Sequence, residues 1–124
     1  MTQHWRKFFP LSSPRLEQER VLDEIVERID SGDRTIILEA GTGVGKSAIA
    51  VCVANYVASL GDRGEEYQPG AYVLTSQKIL QVQYIRDFRQ AADIRSSANF
   101  KCTDGPGETC GQTTRYVMYR SRNE

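Results

Sequence analysis

Apolar positions recur along this chain with two different periods. Leu16, Val21, Leu22, Ile25, Val26 and Ile29 fall on one stripe at helical spacing and predict an amphipathic helix. Ser13-Pro14 suits its N-cap and first helical position, and Gly32 ends it. Arg34-Thr-Ile-Ile-Leu-Glu39 is short and β-rich, which predicts a buried strand. From Ala48 to Leu60 the chain is almost continuously apolar and stops at Gly61, as a buried helix would. Residues 61–70 form a polar, turn-rich loop. Ala71-Tyr-Val-Leu-Thr-Ser76 reads as a second strand. Lys78 to Ala92 reads as a third helix, with Ile79, Leu80, Tyr84, Ile85 and Phe88 available for burial. After Asp93 the periodicity breaks. Residues 93–124 are rich in Gly, Ser and Thr and carry two cysteines.

Strand, helix, strand is most simply arranged as a parallel β–α–β unit with a right-handed crossover, an α/β fold. Parallel sheets are normally covered on both faces and have several strands. Two strands leave exposed edges and an incomplete core. Self-association through such an edge is an expected consequence. The material reads as the front part of a larger domain.

Composition narrows the class. A chain of 124 residues is one domain at most, with a modest core. Its formal net charge is zero, so the whole chain advertises no nucleic-acid affinity. The halves differ. Residues 1–70 carry 8 basic and 11 acidic side chains, whereas residues 71–124 carry 8 basic and 5 acidic, a net +3 that hints at an anionic partner. No apolar run is long enough to span a bilayer, and the start lacks a signal-peptide core. A cytoplasmic location is expected, or the host cytoplasm for a viral protein.

The sharpest chemical signal is Ala40-Gly-Thr-Gly-Val-Gly-Lys-Ser47, a phosphate-binding loop of the form A-x-x-x-x-G-K-S. A polyphosphate is held by backbone N–H groups only where the chain curls tightly. Gly41, Gly43 and Gly45 permit that curl, with Thr42 and Val44 between them. The following helix aims its free N–H groups and positive dipole end at the phosphates. Lys46 supplies a full charge for the β- and γ-phosphates, and the Ser47 hydroxyl suits Mg²⁺. The expected ligands are ATP and Mg²⁺. The bland alternative, a Gly-rich connector, gives the lysine little to do.

Four blocks in order resemble the iron–sulfur DNA helicases of the XPD/DinG type in helicase superfamily 2. Arg15-Leu-Glu-Gln18, after Phe8-Phe9-Pro10, is similar to the Q motif R-x-x-Q. Glu39 to Ser47 resembles motif I. Tyr72-Val-Leu-Thr-Ser-Gln-Lys-Ile-Leu-Gln-Val-Gln-Tyr84 resembles motif Ia. Ser97-Ala-Asn-Phe-Lys-Cys102 resembles the entry to the iron–sulfur insertion, N-[YF]-x-C. The resemblance covers about residues 8–110. It implies a partial RecA-like P-loop NTPase domain over residues 1–92, running into an incomplete cysteine-containing insertion over residues 93–124. The implied activity is ATP-dependent DNA unwinding.

The same resemblance distributes roles. Gln18 would read the adenine edge, with Arg15 beside it and Phe8 or Phe9 packed on the ring. The plain reading is a solvent-facing glutamine and an apolar N-terminal anchor. Lys46 and Ser47 would carry the catalytic and metal-holding roles. Thr75, Ser76 and Gln77 would touch the backbone of single-stranded DNA, although Thr75 or Ser76 also suits an ordinary helix N-cap. Glu39 closes a strand expected to be buried and takes no catalytic role; an unpaired buried carboxylate is costly. Cys102 and Cys110, spaced C-x₇-C, would be the first two ligands of a [4Fe–4S] cluster in the longer parent. Such clusters need four thiolates, so two free thiols are expected of this chain alone. Zinc would need further ligands as well, and a disulfide is disfavoured in a reducing cytosol. Asn99 and Phe100 would shape the cluster's entry. Cys52, in the apolar helix, reads as a small buried hydrophobe.

The family's Asp-Glu-x-His motif is absent. Asp23-Glu24 precedes the phosphate loop and is not that motif. The chain therefore reads as a truncated form of a longer helicase, natural or engineered. The alternative is a non-catalytic nucleotide- or DNA-binding module that interferes with a full-length helicase. A third reading, an unrelated P-loop ATPase or kinase, leaves the Q-motif and motif-Ia blocks unexplained.

Overall fold

The computed structural model describes residues 4–61, 70–74, 78–88, 93–96 and 116–120. A single 3-10 turn, His4–Phe8, precedes helix α1, Leu16–Asp30. Helix α2, Lys46–Leu60, is followed by strand β1, Gly70–Leu74, and helix α3, Lys78–Phe88. Strands β2, Asp93–Ser96, and β3, Tyr116–Arg120, complete the order. Among the described residues no helix is long and apolar enough to cross a membrane.

Helix α1 starts later than Ser13-Pro14 suggests. Its N-cap is Arg15, with extended backbone, and Leu16 at its first position is 62% exposed. The reason is local. The Gln18 side-chain oxygen accepts the Arg15 N–H at 2.9 Å, the return half of a capping box, and satisfies an otherwise orphan donor. Leu22, Ile25 and Val26 are buried as the stripe predicts, with Val21 and Ile29 packed beside them. The helix ends on Ser31 and then Gly32. The Gly32 and Asp33 N–H groups donate to the Ile29 and Arg28 carbonyls, a Schellman closure that needs the positive φ of Gly32, +92°.

Helix α2 is the centre of the molecule, and its near-uniform apolarity follows from contacts on two sides. Ile49, Cys52 and Tyr56 face α1 and the 3-10 turn. Ala48, Val51 and Ala54 face β1 and α3, where they meet Ala71, Val73, Tyr84 and Phe88. Trp5 fills the first cluster completely, at 0% exposure. Its indole N–H donates to Asp23 at 2.7 Å, as a buried tryptophan needs. The Cys52 thiol points at the Trp5 carbonyl at 3.5 Å, and burial pushes that thiol up to about 12. This is the inert, buried cysteine its position suggests. Tyr56 donates to Asp30 at 2.5 Å, linking α2 to the end of α1. Burial and the adjacent carboxylate push its hydroxyl up to about 12.

Two expectations about strands fail. Residues 35–40 form no ladder, although Ile36 packs on the first cluster while Ile37 is 90% exposed. The segment lies along α1, where Thr35–Leu38 line a cleft of about 230 Å³ with Val21 and Arg28. Strand propensity reports fitness for a half-buried surface; without a neighbouring backbone among the described residues it yields an extended run and no strand. The parallel β–α–β core is not formed either. β1 pairs antiparallel with β3, and β2 pairs antiparallel with β3 on its other edge, in the order β1-β3-β2. Chain that reads as irregular from composition thus supplies two strands. Glu39, expected at the buried end of a strand, is exposed, so its carboxylate incurs no burial cost.

Candidate phosphate-binding site

The loop between the extended run and α2 has the curl its glycines permit. Gly43 and Gly45 have φ of +87° and +85°, the left-handed region. Gly45 is the N-cap of α2, and no side chain caps that end. The first N–H groups of α2 therefore remain available to a ligand. A Cβ at Gly41 or Gly43 would meet nothing within 4 Å, so both glycines border open space. Val44 turns inward and packs on the first core cluster, which pins the loop from below. Lys46 is exposed, and its ammonium donates to the Ala40 carbonyl at 2.8 Å, across the mouth of the loop. Ser47 is half-buried on the first turn of α2.

Helix α1 holds this loop. The Arg15 guanidinium donates to the Gly43 carbonyl at 2.7 Å. The Gln18 amide nitrogen donates to the Gly45 carbonyl at 3.3 Å, while its oxygen takes the Arg15 N–H. Gln18 is only 4% exposed, so both ends of a buried amide are satisfied. The solvent-facing glutamine of the plain reading is thereby excluded. Gln18 also presses so close to Gly45 that a Cβ there would collide with its amide nitrogen. Gly45 is thus required twice, by its φ and by this contact.

The structure brings Arg15, Gln18, Gly41, Thr42, Gly43, Val44, Gly45, Lys46 and Ser47 into one locus from two separate stretches of sequence. What sequence reasoning missed is that Arg15 and Gln18 bind the loop's own carbonyls. The signal was there in the capping-box spacing, a glutamine three residues after the residue it caps. The aromatic pair sits elsewhere. Phe8 stands edge-on to Tyr56 at 6.0 Å, and Phe9 stands edge-on to Trp5 at 6.4 Å and touches both core clusters. They are the N-terminal anchor and not rings laid open for a base. Thr75, Ser76, Gln77, Asn99, Phe100, Cys102 and Cys110 lie outside the described residues. Among the described residues no group of three or more metal-ligating side chains converges.

No curated protein and no solved structure matches this chain. Its residues 11–118 match the family described as type III restriction enzyme, res subunit (ResIII). That span contains Arg15, Gln18 and the whole phosphate loop, and the family implies a RecA-like P-loop fold with ATP and Mg²⁺ as its usual ligands. The chain therefore belongs to the ResIII family, the N-terminal nucleotide-binding region of superfamily 2 helicases.

Proposed function

We propose that this chain is the ATP-binding portion of an ATP-dependent DNA helicase acting on single-stranded DNA. The observation that supports this best is the convergence of Arg15 and Gln18 on the carbonyls of Gly43 and Gly45. Those contacts fix a curled loop whose open side carries Lys46 and the free end of α2. The donor set fits a triphosphate: Gly41 to Ser47 would surround it, Lys46 would reach its outer phosphates and Ser47 would hold Mg²⁺. The bound nucleotide supplies the free energy of the cycle.

Within superfamily 2 we place the parent in the XPD/DinG branch, on the strength of the four sequence blocks. Cys102 and Cys110 are then the first two ligands of its [4Fe–4S] cluster, and this chain alone holds none. Thr75, Ser76 and Gln77 contact the DNA backbone. The adenine role of Gln18 would require its amide to exchange the Gly45 carbonyl for the base.

The sequence has no Asp-Glu-x-His after the loop, and phosphoryl transfer needs a carboxylate to hold the metal and place the water. The isolated chain is accordingly a nucleotide-binding module with negligible turnover. Phosphate release measured with and without single-stranded DNA should stay at the background of the Lys46→Ala variant. DNA-stimulated release that vanishes in Lys46→Ala would contradict this and would mean another carboxylate serves.

A further inference from the structure

The sheet has one covered face and one open face. Ala71 and Val73 of β1 pack against the cluster shared by α2 and α3. The pairing register puts Tyr119 and Ile94 in the same row as Ala71, and Val117 and Ser96 in the same row as Val73, on that covered face. The alternate rows form the other face. One row runs Tyr72, Met118, Arg95; the next runs Gly70, Arg120, Asp93; Leu74 stands opposite Tyr116. Tyr72 is 68% and Leu74 77% exposed.

The composition of this face points to a particular occupant. It carries two tyrosines, a methionine and a leucine, with Arg95 and Arg120 against the lone acid Asp93. Phe, Ile and Val, the usual fillers of a buried sheet face, are absent from these rows. Tyr72 and Tyr116 are diagonal neighbours across β1 and β3, about 7–8 Å apart by sheet geometry. Flat rings on a sheet flanked by arginines suit bases that stack and phosphates that need neutralising. The excess of basic residues over residues 71–124, net +3, has the same sign. Residue 74 also leads directly into Thr75–Gln77.

We propose that this face is a platform for single-stranded nucleic acid, with Tyr72 and Tyr116 stacking on bases and Arg95 and Arg120 taking phosphates. The proposal deepens the DNA-binding reading and adds a surface distinct from Thr75–Gln77. Affinity of the whole chain for fluorescein-labelled dT₁₅ tests it, read by anisotropy across a salt series. Tyr72→Ala should bind at least about fivefold more weakly, whereas Tyr72→Phe keeps the ring and should match wild type. The Arg95→Gln/Arg120→Gln pair should reduce the slope of log K against log salt by about 1.4. Wild-type binding that neither Tyr72→Ala nor the arginine pair alters would overturn the platform. If Thr75→Ala/Ser76→Ala/Gln77→Ala alone abolishes that binding, the DNA reading survives without it. No binding of dT₁₅ by wild type would overturn both. Self-association lost in Tyr72→Ala, with dT₁₅ binding unchanged, would assign the face to a second copy and overturn the proposal too. Should Tyr72→Ala lose its thermal transition, the arginine pair decides.

Discussion

Trp5→Ala should destabilise the chain by about 3–5 kcal/mol, the range for deleting a large buried aromatic. Trp5 is fully buried between the 3-10 turn, α1 and α2, beside Leu22, Ile25, Ile49 and Cys52. Its removal opens a cavity, strands the Asp23 carboxylate that accepts the indole N–H, and deprives Phe9 of its edge-on partner. Small domains are stable by roughly 5–15 kcal/mol in total, so the loss would consume a large share. Trp5→Phe keeps most of the volume but not the donor, and should recover part of the difference. Urea unfolding followed by circular dichroism measures both. A Trp5→Ala midpoint equal to wild type would mean that the N-terminal turn does not clamp the two helices.

Gly45→Ala should disable the loop without touching the core. A non-glycine residue in the left-handed region costs on the order of 1–3 kcal/mol. Here the added Cβ also collides with Gln18, so the buried amide must leave the Gly45 carbonyl and the Arg15 N–H. A buried polar group left unpaired adds about 1–3 kcal/mol. Gln18→Ala removes the collision as well as the ties. In that background Gly45→Ala should cost only the backbone strain. The two substitutions should therefore be non-additive by about 1 kcal/mol or more in a double-mutant cycle. Strict additivity would show that Gln18 and Gly45 do not press on one another. Nucleotide affinity should fall in Gly45→Ala even where the fold persists, because the curl at the head of α2 is lost.

The helices were legible because their signals are local. The stripe from Val21 to Ile29 and the apolar run from Ala48 to Leu60 describe which sides touch a core, and both helices lie where those patterns place them. The phosphate loop was legible for the same reason, since glycine at positive φ is a property of the residue itself. Strand pairing was not. Whether Ile36 and Ile37 join a sheet, and whether β1 runs parallel or antiparallel to its neighbour, depends on chain far away in sequence, here residues 93–120. Propensity says nothing about that choice. The ties from Arg15 and Gln18 to the loop fall between these cases. Their spacing marks a helix start, but only the packing of α1 against α2 brings that start to Gly43 and Gly45.

The central claim is that residues 41–47 bind a nucleotide phosphate chain. Titration calorimetry with Mg²⁺–ADP and Mg²⁺–ATP, on wild type and on Lys46→Ala, tests it most directly. Lys46 is exposed and reaches only the Ala40 carbonyl, so its replacement should leave the thermal transition within about 0.5 kcal/mol of wild type. Wild type should give saturable heats with both nucleotides, and Lys46→Ala should lose at least about tenfold in affinity, the equivalent of one charge-assisted contact. Equal heats from the two proteins, or none from wild type, would contradict the account.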